Sequence, residues 1–173
     1  GVMSCVTPNL GGDSKLDQHH FYLEPVSSEN LHISKSTRNF WLGVKGQEPW
    51  SATGVSTRQQ MLLFSDEKEE TSLEAGIMWH TVTRKNKKLG LESKITSFVP
   101  GNGDTVELME VIISNQGTVK IEFSPTAAVP IYGRSADNIR DHRHVTSLLH
   151  RVTTVKNGVI VNPTLSFDER GHK

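Results

Sequence analysis

The sequence predicts an all-β protein, and within that class an antiparallel β-sandwich. Three observations indicate this fold. Short runs of aromatic and β-branched residues recur along the chain, turn-forming residues bound the runs, and neighbouring runs are joined by short turns. The chain has 173 residues, enough to bury one core, so we expect residues 1–173 to belong to a single domain.

The first half of the chain contains loops, two predicted strands and one candidate helix. Residues 1–39 carry Gly, Pro, Ser and Asn at short intervals with no sustained period, which predicts loops with short strands. The runs Asn39–Val44 and Gly76–Arg84 have the aromatic and β-branched content of strands. The acidic stretch 66–74, or a brief segment within 136–149, is the only plausible place for a helix.

The clearest strand patterns lie in the middle of the chain. Residues 91–99 and 105–113 flank a Pro-Gly-Asn-Gly-Asp turn, and the second of these runs has apolar residues on both faces, which predicts that both faces are covered. In residues 118–124, apolar and polar side chains alternate strictly, which predicts a half-buried strand.

A tight hairpin is predicted near the end of the sequence. The runs Val152–Val155 and Val159–Val161 flank Lys156-Asn157-Gly158, and Asn-Gly is favoured where both central residues of a two-residue turn need φ > 0. Strands joined by such short turns pair antiparallel, which favours a sandwich over a parallel sheet with crossover helices.

Composition excludes several functional classes. The 19 Lys and Arg residues balance 19 Asp and Glu residues, so no overall charge favours binding to nucleic acid or to an anionic membrane. Apolar runs such as Val111–Ile113 are far shorter than the roughly 20 residues that span a bilayer, and the first eight residues lack the features of a secretion signal. Cys5 is the only cysteine, which excludes an internal disulfide and fits the reducing cytoplasm, where we expect the protein to act.

Both ends of the sequence resemble cut points. Met3 is not the first residue, and strand-like residues continue almost to Lys173. We therefore expect an incomplete sandwich that is part of a longer polypeptide. Such a sandwich would leave a sheet edge or an apolar face exposed, and we expect that surface to promote formation of a homo-oligomer.

The densest polar cluster of the sequence lies between residues 132 and 144. Guanidinium and carboxylate groups make directional, paired hydrogen bonds to adjacent hydroxyls, so this segment is suited to a polyhydroxylated ligand. The alternative is a solvated loop in which its aspartates only pair with its arginines. The candidate ligand-binding residues are Arg134, Asp137, Asn138, Arg140, Asp141 and Arg143.

A metal site is a weaker hypothesis for the same segment. In a strand, His142 and His144 would face the same side and two imidazoles would meet one ion. Further ligands would have to come from more distant residues, and no spacing supports that assignment. The candidates for those ligands are His80, His150, Glu169 and His172.

Two other features bear on carbohydrate chemistry. Asp168-Glu169 with Asp137 or Asp141 would supply the paired carboxylates of a glycosidase, which lie about 5–10 Å apart, but sequence gives no distance. A tryptophan can stack on a sugar ring, and we expect Trp50, which follows a proline in a turn-like setting, to be the exposed one. We assign no catalytic residue.

Three segments carry a resemblance to a known family. Residues 130–151, PIYGRSADNIRDHRHVTSLLHR, and residues 165–172, LSFDERGH, resemble the N-terminal domain of glycoside hydrolase family 94. These enzymes are inverting phosphorylases of β-glucosides and were formerly grouped with glycosyltransferase family 36. Together with the opening segment 3–15, MSCVTPNLGGDSK, the chain is most similar to the 1,2-β-oligoglucan phosphorylases within that family.

The resemblance implies an architecture larger than this chain. It implies a galactose-mutarotase-like β-supersandwich over residues 1–173, followed by a helical linker and an (α/α)6-barrel that lie outside these residues. The barrel of such enzymes carries the general-acid Asp and the phosphate site. The chain alone is then expected to be inactive, with the barrel of its own polypeptide as its partner.

The resemblance also implies the chemistry of the whole enzyme. Its substrate is a β-gluco-oligosaccharide, inorganic phosphate is the co-substrate, and no cofactor or metal is needed. Loops of the sandwich reach the acceptor side of the cleft, which makes the arginine and aspartate residues of 134–143 candidates for sugar contacts or for packing against the barrel.

Two other classes of function stay open at this stage. A free-standing carbohydrate-binding module would need an exposed aromatic platform, and an aromatic content of 6% argues mildly against it. A cupin-like metal-dependent enzyme would need His142 and His144 to share one ion with further ligands.

Overall fold

The computed structural model describes residues 1–4, 6–25, 37–135 and 150–163. Within these ranges it contains thirteen strands and one short helix, and the strand pairs are antiparallel. The predicted all-β antiparallel fold is therefore confirmed. No helix in the described ranges is long and apolar enough to cross a membrane.

The strands form four sheets in the described part of the chain. The bounds in chain order are β1 Met3–Ser4, β2 Ser14–Asp17, β3 His20–Leu23, β4 Asn39–Val44, β5 Trp50–Ser51, α1 Thr57–Met61, β6 Glu70–Gly76, β7 Trp79–Asn86, β8 Leu91–Phe98, β9 Leu108–Asn115, β10 Phe123–Ala128, β11 Ile131–Arg134, β12 His150–Val155 and β13 Gly158–Pro163. The sheets have the strand orders β1-β2-β3-β11, β10-β4-β5, β6-β7-β8-β9 and β12-β13.

Two of these sheets pack face to face and enclose the core. Leu42 and Trp50 of the three-stranded sheet pack with Leu91 and Ile95 of the β6–β9 sheet. Alternation along β8 explains the packing, because residues 91, 93, 95 and 97 are buried while the residues between them are half-buried or exposed. The buried residues of β8 therefore form one wall of the sandwich.

Arg38 connects the N-terminal segment to this sandwich. Its side chain is only 4% exposed. The guanidinium donates hydrogen bonds to three carbonyl oxygens, those of Leu10, Gly12 and Asp13, at 3.1–3.2 Å. It also pairs with Glu107, which precedes β9, at 2.7 Å. One buried side chain thus holds the segment between β1 and β2 against the sandwich.

Glu69 forms a second buried polar centre. Its carboxylate accepts hydrogen bonds from the Trp50 indole at 2.8 Å, the Gln59 amide at 2.7 Å and the Asn86 amide at 3.0 Å. Arg84 adds an ion pair at 3.4 Å. The expectation that Trp50 is exposed is wrong: the indole is 3% exposed because its ring is in the core and its N–H is bonded to Glu69.

The helix expected at 66–74 is also wrong, and the alternative position within 136–149 lies outside the described residues. The helix in the described residues is α1, which Ser56 and Gln59 begin with a reciprocal capping box. Residues 70–76 instead form β6, which pairs along its whole length with β7. Pairing with a neighbouring strand therefore decided the conformation of this acidic segment.

Two details of the central strands differ from expectation. The outer face of β9 is not covered, since Ile112 is 46% exposed, although its inner face packs on the core. The strand expected at 118–124 begins only at Phe123. Phe123 pairs with Val44, the last residue of β4, so residues 118–122 have no β4 residue opposite them.

The predicted hairpin near residue 157 is confirmed. Strands β12 and β13 pair in continuous register, with Val155 opposite Gly158. The two turn residues are Lys156 and Asn157, whereas the Asn-Gly pattern predicted Asn157 and Gly158. Asn157 does not have a positive φ in this turn.

We predict that Arg38→Met lowers the free energy of unfolding by about 3 kcal/mol, because the half-buried Glu107 carboxylate loses its charged partner and three carbonyls lose their donor. Urea denaturation monitored by tryptophan fluorescence measures the loss. Lys120→Met is the matched control, since the Lys120–Glu122 pair is equally short but highly exposed, and it should change stability little. Equal effects of the two substitutions would contradict the structural role of Arg38.

We predict a second effect, on the pH dependence of stability, from His80 on the inner face of β7. Burial disfavours the imidazolium and lowers the pKa of His80, and the charge of Arg38 lowers it further. The unfolded chain therefore takes up the proton first, at its ordinary pKa of about 6.5. Stability is retained above that pH and is lost as the pH falls toward the lowered pKa.

Urea denaturation at a series of pH values between 7.5 and 5 tests the assignment. His80→Asn should make the loss of stability with falling pH shallower than in the wild type. His19→Asn removes an exposed histidine and should leave the profile unchanged. An unaltered profile in the His80 variant would show that other groups control the acid sensitivity.

Candidate functional site

The structure describes the base of the predicted ligand-binding loop. Arg134 is the last residue of β11, and its backbone lies within the described residues. The other predicted contacts, Asp137, Asn138, Arg140, Asp141 and Arg143, lie outside them, as do His142, His144, Asp168, Glu169 and His172. The described part of the site comprises residues 131–135 and His150, which follows the segment 136–149.

The entry to the loop is held by strand pairing and by a buried tyrosine. In β11, Ile131 pairs with Leu23 and Arg134 with Phe21, with a shift of register between these pairs. Tyr132 is buried within this irregular stretch, and its hydroxyl donates to the carbonyl oxygen of Ser135 at 3.1 Å. A bulge of this kind turns a strand locally and redirects the side chains that follow it.

The exit from the loop is bonded to the entry. His150 is the first residue of β12, and its Nε2 lies 3.0 Å from the carbonyl oxygen of Tyr132. Because a carbonyl only accepts, this contact requires the proton on Nε2. Gly133 lies equally close to the hairpin, since a Cβ added there would be 2.8 Å from Cγ of Pro163. Both ends of the segment 136–149 are thus fixed beside each other.

A segment whose two ends are held together is suited to ligand binding. Side chains of a loop whose ends are already fixed lose less conformational freedom when a ligand binds. Strands β11 and β12 form the scaffold, and the candidate polar residues lie in the segment of sequence between them, the usual arrangement for recognition loops. Sequence reasoning found the polar residues of this loop but missed the positioning roles of Tyr132, Gly133 and His150.

The described histidines that were considered as metal ligands have other surroundings. His150 is bonded to the Tyr132 carbonyl, and His80 lies on the inner face of β7 opposite Ser97. Among the described residues, no three His, Cys, Asp or Glu side chains are grouped so that they would hold a metal ion.

Glu69 and Arg84 lie at an open groove beside α1, but their contacts stabilise the fold and do not form a binding site. Burial lowers the pKa of Arg84, and the adjacent Glu69 carboxylate opposes that shift. Donors from four side chains occupy the Glu69 carboxylate, which leaves it little capacity for a substrate. We therefore assign this pair to the architecture.

Comparison with known proteins assigns no function to this geometry. No protein-family model matches the chain, and no curated protein has a significantly similar sequence.

We predict that Gly133→Ala disturbs the loop base. Gly133 has φ = 66°, where an L-residue costs about 1–2 kcal/mol, and the added Cβ would also press on Pro163. Gly46→Ala is the matched control, because Gly46 has φ = 75° with nothing within 4 Å of an added Cβ. Urea denaturation should show a larger loss for Gly133→Ala, and equal losses would contradict the close contact with the hairpin.

Proposed function

We propose that this chain is the N-terminal β-sandwich of an inverting β-glucan phosphorylase and has no catalytic residue of its own. The observation that carries the proposal is the resemblance of residues 130–151 and 165–172 to glycoside hydrolase family 94. The all-β antiparallel fold supports it, because that family begins with a supersandwich domain. The parent polypeptide would act in the cytoplasm.

In the proposed enzyme, the chemistry takes place in a barrel outside these residues. A phosphate oxygen attacks the anomeric carbon with inversion, the glycosidic C–O bond breaks, and a barrel Asp donates its proton to the leaving sugar oxygen. The products are glucose 1-phosphate and an oligosaccharide shortened by one unit, with β-1,2-linked glucans as the substrate class. Because phosphate is itself the nucleophile, no second catalytic carboxylate is required.

The role that we propose for the sandwich is to dock on the barrel and to contact the acceptor side of the sugar. The polar residues of 134–143 would make charge-assisted hydrogen bonds to adjacent hydroxyls. The fixed base of this loop supports the proposal, because Tyr132, Ser135 and His150 hold its ends in place.

We predict that Arg140→Ala, made in the full-length polypeptide, raises the acceptor KM roughly tenfold, since a charged hydrogen bond to a sugar hydroxyl is lost. The assay runs the reversible reaction in the synthetic direction and measures phosphate release from glucose 1-phosphate at varied concentrations of a β-1,2-gluco-oligosaccharide acceptor. Arg140→Lys should recover part of the affinity, and the 173-residue chain alone should be inactive.

Arg151→Ala is the control for this assay, because Arg151 is exposed on β12 outside the loop. Its acceptor KM should stay at the wild-type value. Activity of the isolated chain would overturn the accessory role. If the acceptor KM of the Arg140 variant is unchanged, the loop does not contact the sugar and only its docking role remains.

A further inference from the structure

The outer face of the β6–β9 sheet carries an exposed tryptophan. Trp79 begins β7 and is 41% exposed. Gly76 of β6 is opposite it on one side and Phe98 of β8 on the other, and Leu108 of β9 continues the row. Directly opposed residues of antiparallel strands project from the same face, so Trp79, Phe98 and Leu108 form one apolar row across the sheet.

The indole of Trp79 has a fixed position. Any side chain at residue 76 would overlap it, since a Cβ there would be 2.6 Å from the indole Cε2 and in contact with Nε1. The ring therefore lies against the backbone of Gly76, and the residue remains 41% exposed to solvent. An aromatic ring held in this way can bind a ligand without first losing side-chain freedom.

A polar row runs beside the aromatic one. Two residues further along each strand, the same face carries Glu74, Thr81, Thr96 and Glu110. The hydroxyls of Thr81 and Thr96 are hydrogen-bonded at 2.9 Å, and the two glutamates are exposed at either end. The polar row lies about 7 Å from the aromatic row, because strands rise about 3.4 Å per residue.

We propose that this face is a carbohydrate-binding platform. A pyranose ring presents C–H groups on its face and hydroxyls on its rim, so the face of one sugar unit would pack on the Trp79 indole while its hydroxyls bond to Glu74. Glu110 lies three strands from Glu74, about 14 Å away, and would bond to a further unit of the same oligosaccharide. Neighbouring strands are about 4.8 Å apart, comparable with one pyranose unit, so a short glucan would lie across the strands. The platform is distinct from the loop at 134–143 and would retain a longer chain.

The turn next to Trp79 suggests the main alternative ligand for this face, which is a protein partner. Ile77 and Met78 are both exposed, and Met78 has φ = 64°, an uncommon conformation for this residue type. An apolar turn of this kind is also suited to a protein partner. The exposed carboxylates of Glu74 and Glu110 in the neighbouring row favour a sugar, because a purely apolar partner would leave them without hydrogen bonds.

Calorimetric titration of the 173-residue chain tests the proposal, with β-1,2-gluco-oligosaccharides as the probe and cello-oligosaccharides as the linkage comparison. Saturable binding is expected. Trp79→Ala should weaken it about tenfold or more, which corresponds to the loss of one stacking contact. Gly76→Ala should weaken it similarly although it retains the tryptophan, because the new methyl group displaces the indole. Glu110 is exposed, so Glu110→Gln should preserve the fold. This substitution should weaken sugar binding less than Trp79→Ala does.

Phe64→Ala is the matched control, since Phe64 is fully exposed but lies on the segment after α1. It should bind as the wild type does. The platform would be overturned if neither oligosaccharide binds, or if a folded Trp79→Ala variant binds as tightly as the wild type. A third outcome would also overturn the platform: the chain has no affinity for sugar but associates with itself, and Trp79→Ala abolishes that association. The face would then be a protein interface.

The choice of β-1,2-glucan as probe rests on the proposed function, and one further variant separates the two proposals. If Arg140→Ala removes binding while Trp79→Ala does not, the loop binds the sugar and the platform fails. If Trp79→Ala removes binding while Arg140→Ala leaves the acceptor KM unchanged, the platform stands and the loop has no role in sugar recognition.

Discussion

The placement of the candidate site depends on one buried guanidinium. Arg38 bonds to three carbonyls of the N-terminal segment and pairs with Glu107 of the sandwich, so it holds the β1-β2-β3-β11 sheet in position. Strand β11 pairs with β3 and ends at Arg134, the first of the candidate ligand-binding residues in the sequence. A buried ion pair costs desolvation and is worthwhile only when its hydrogen bonds are satisfied in detail, which makes this contact a strong constraint on how the sheet docks.

The second buried charge, Glu69, serves the same kind of purpose on the other side of the core. It binds the Trp50 indole and the Gln59 amide and pairs with Arg84, thereby connecting β5, α1 and β7. The protein thus uses two buried arginines, Arg38 and Arg84, with their carboxylate partners to fix its architecture. Trp79, which we propose for recognition, lies on an outer sheet face, where a ligand can reach it. Such a division separates the requirement for stability from the requirement for binding.

Several elements of the fold were predictable because local pattern and tertiary environment agree. Strand β4 has the predicted bounds of Asn39–Val44, β8 differs by one residue, and the β12–β13 hairpin forms around the predicted turn. Prediction failed where long-range pairing decided the outcome. The acidic stretch at 66–74 has no strong β pattern, yet residues 70–76 become a strand because β7 lies beside them.

The sequence by itself determined the fold class, most strand positions and the polar composition of the loop at 134–143, because these follow from residue type and period. Only the tertiary structure decided which tryptophan is exposed. Trp50 follows a proline in a polar segment but is buried with its N–H on Glu69, whereas Trp79 lies over Gly76 on an outer face. Burial depends on which strands lie opposite a residue, and that pairing joins positions too distant along the chain for any local pattern to encode.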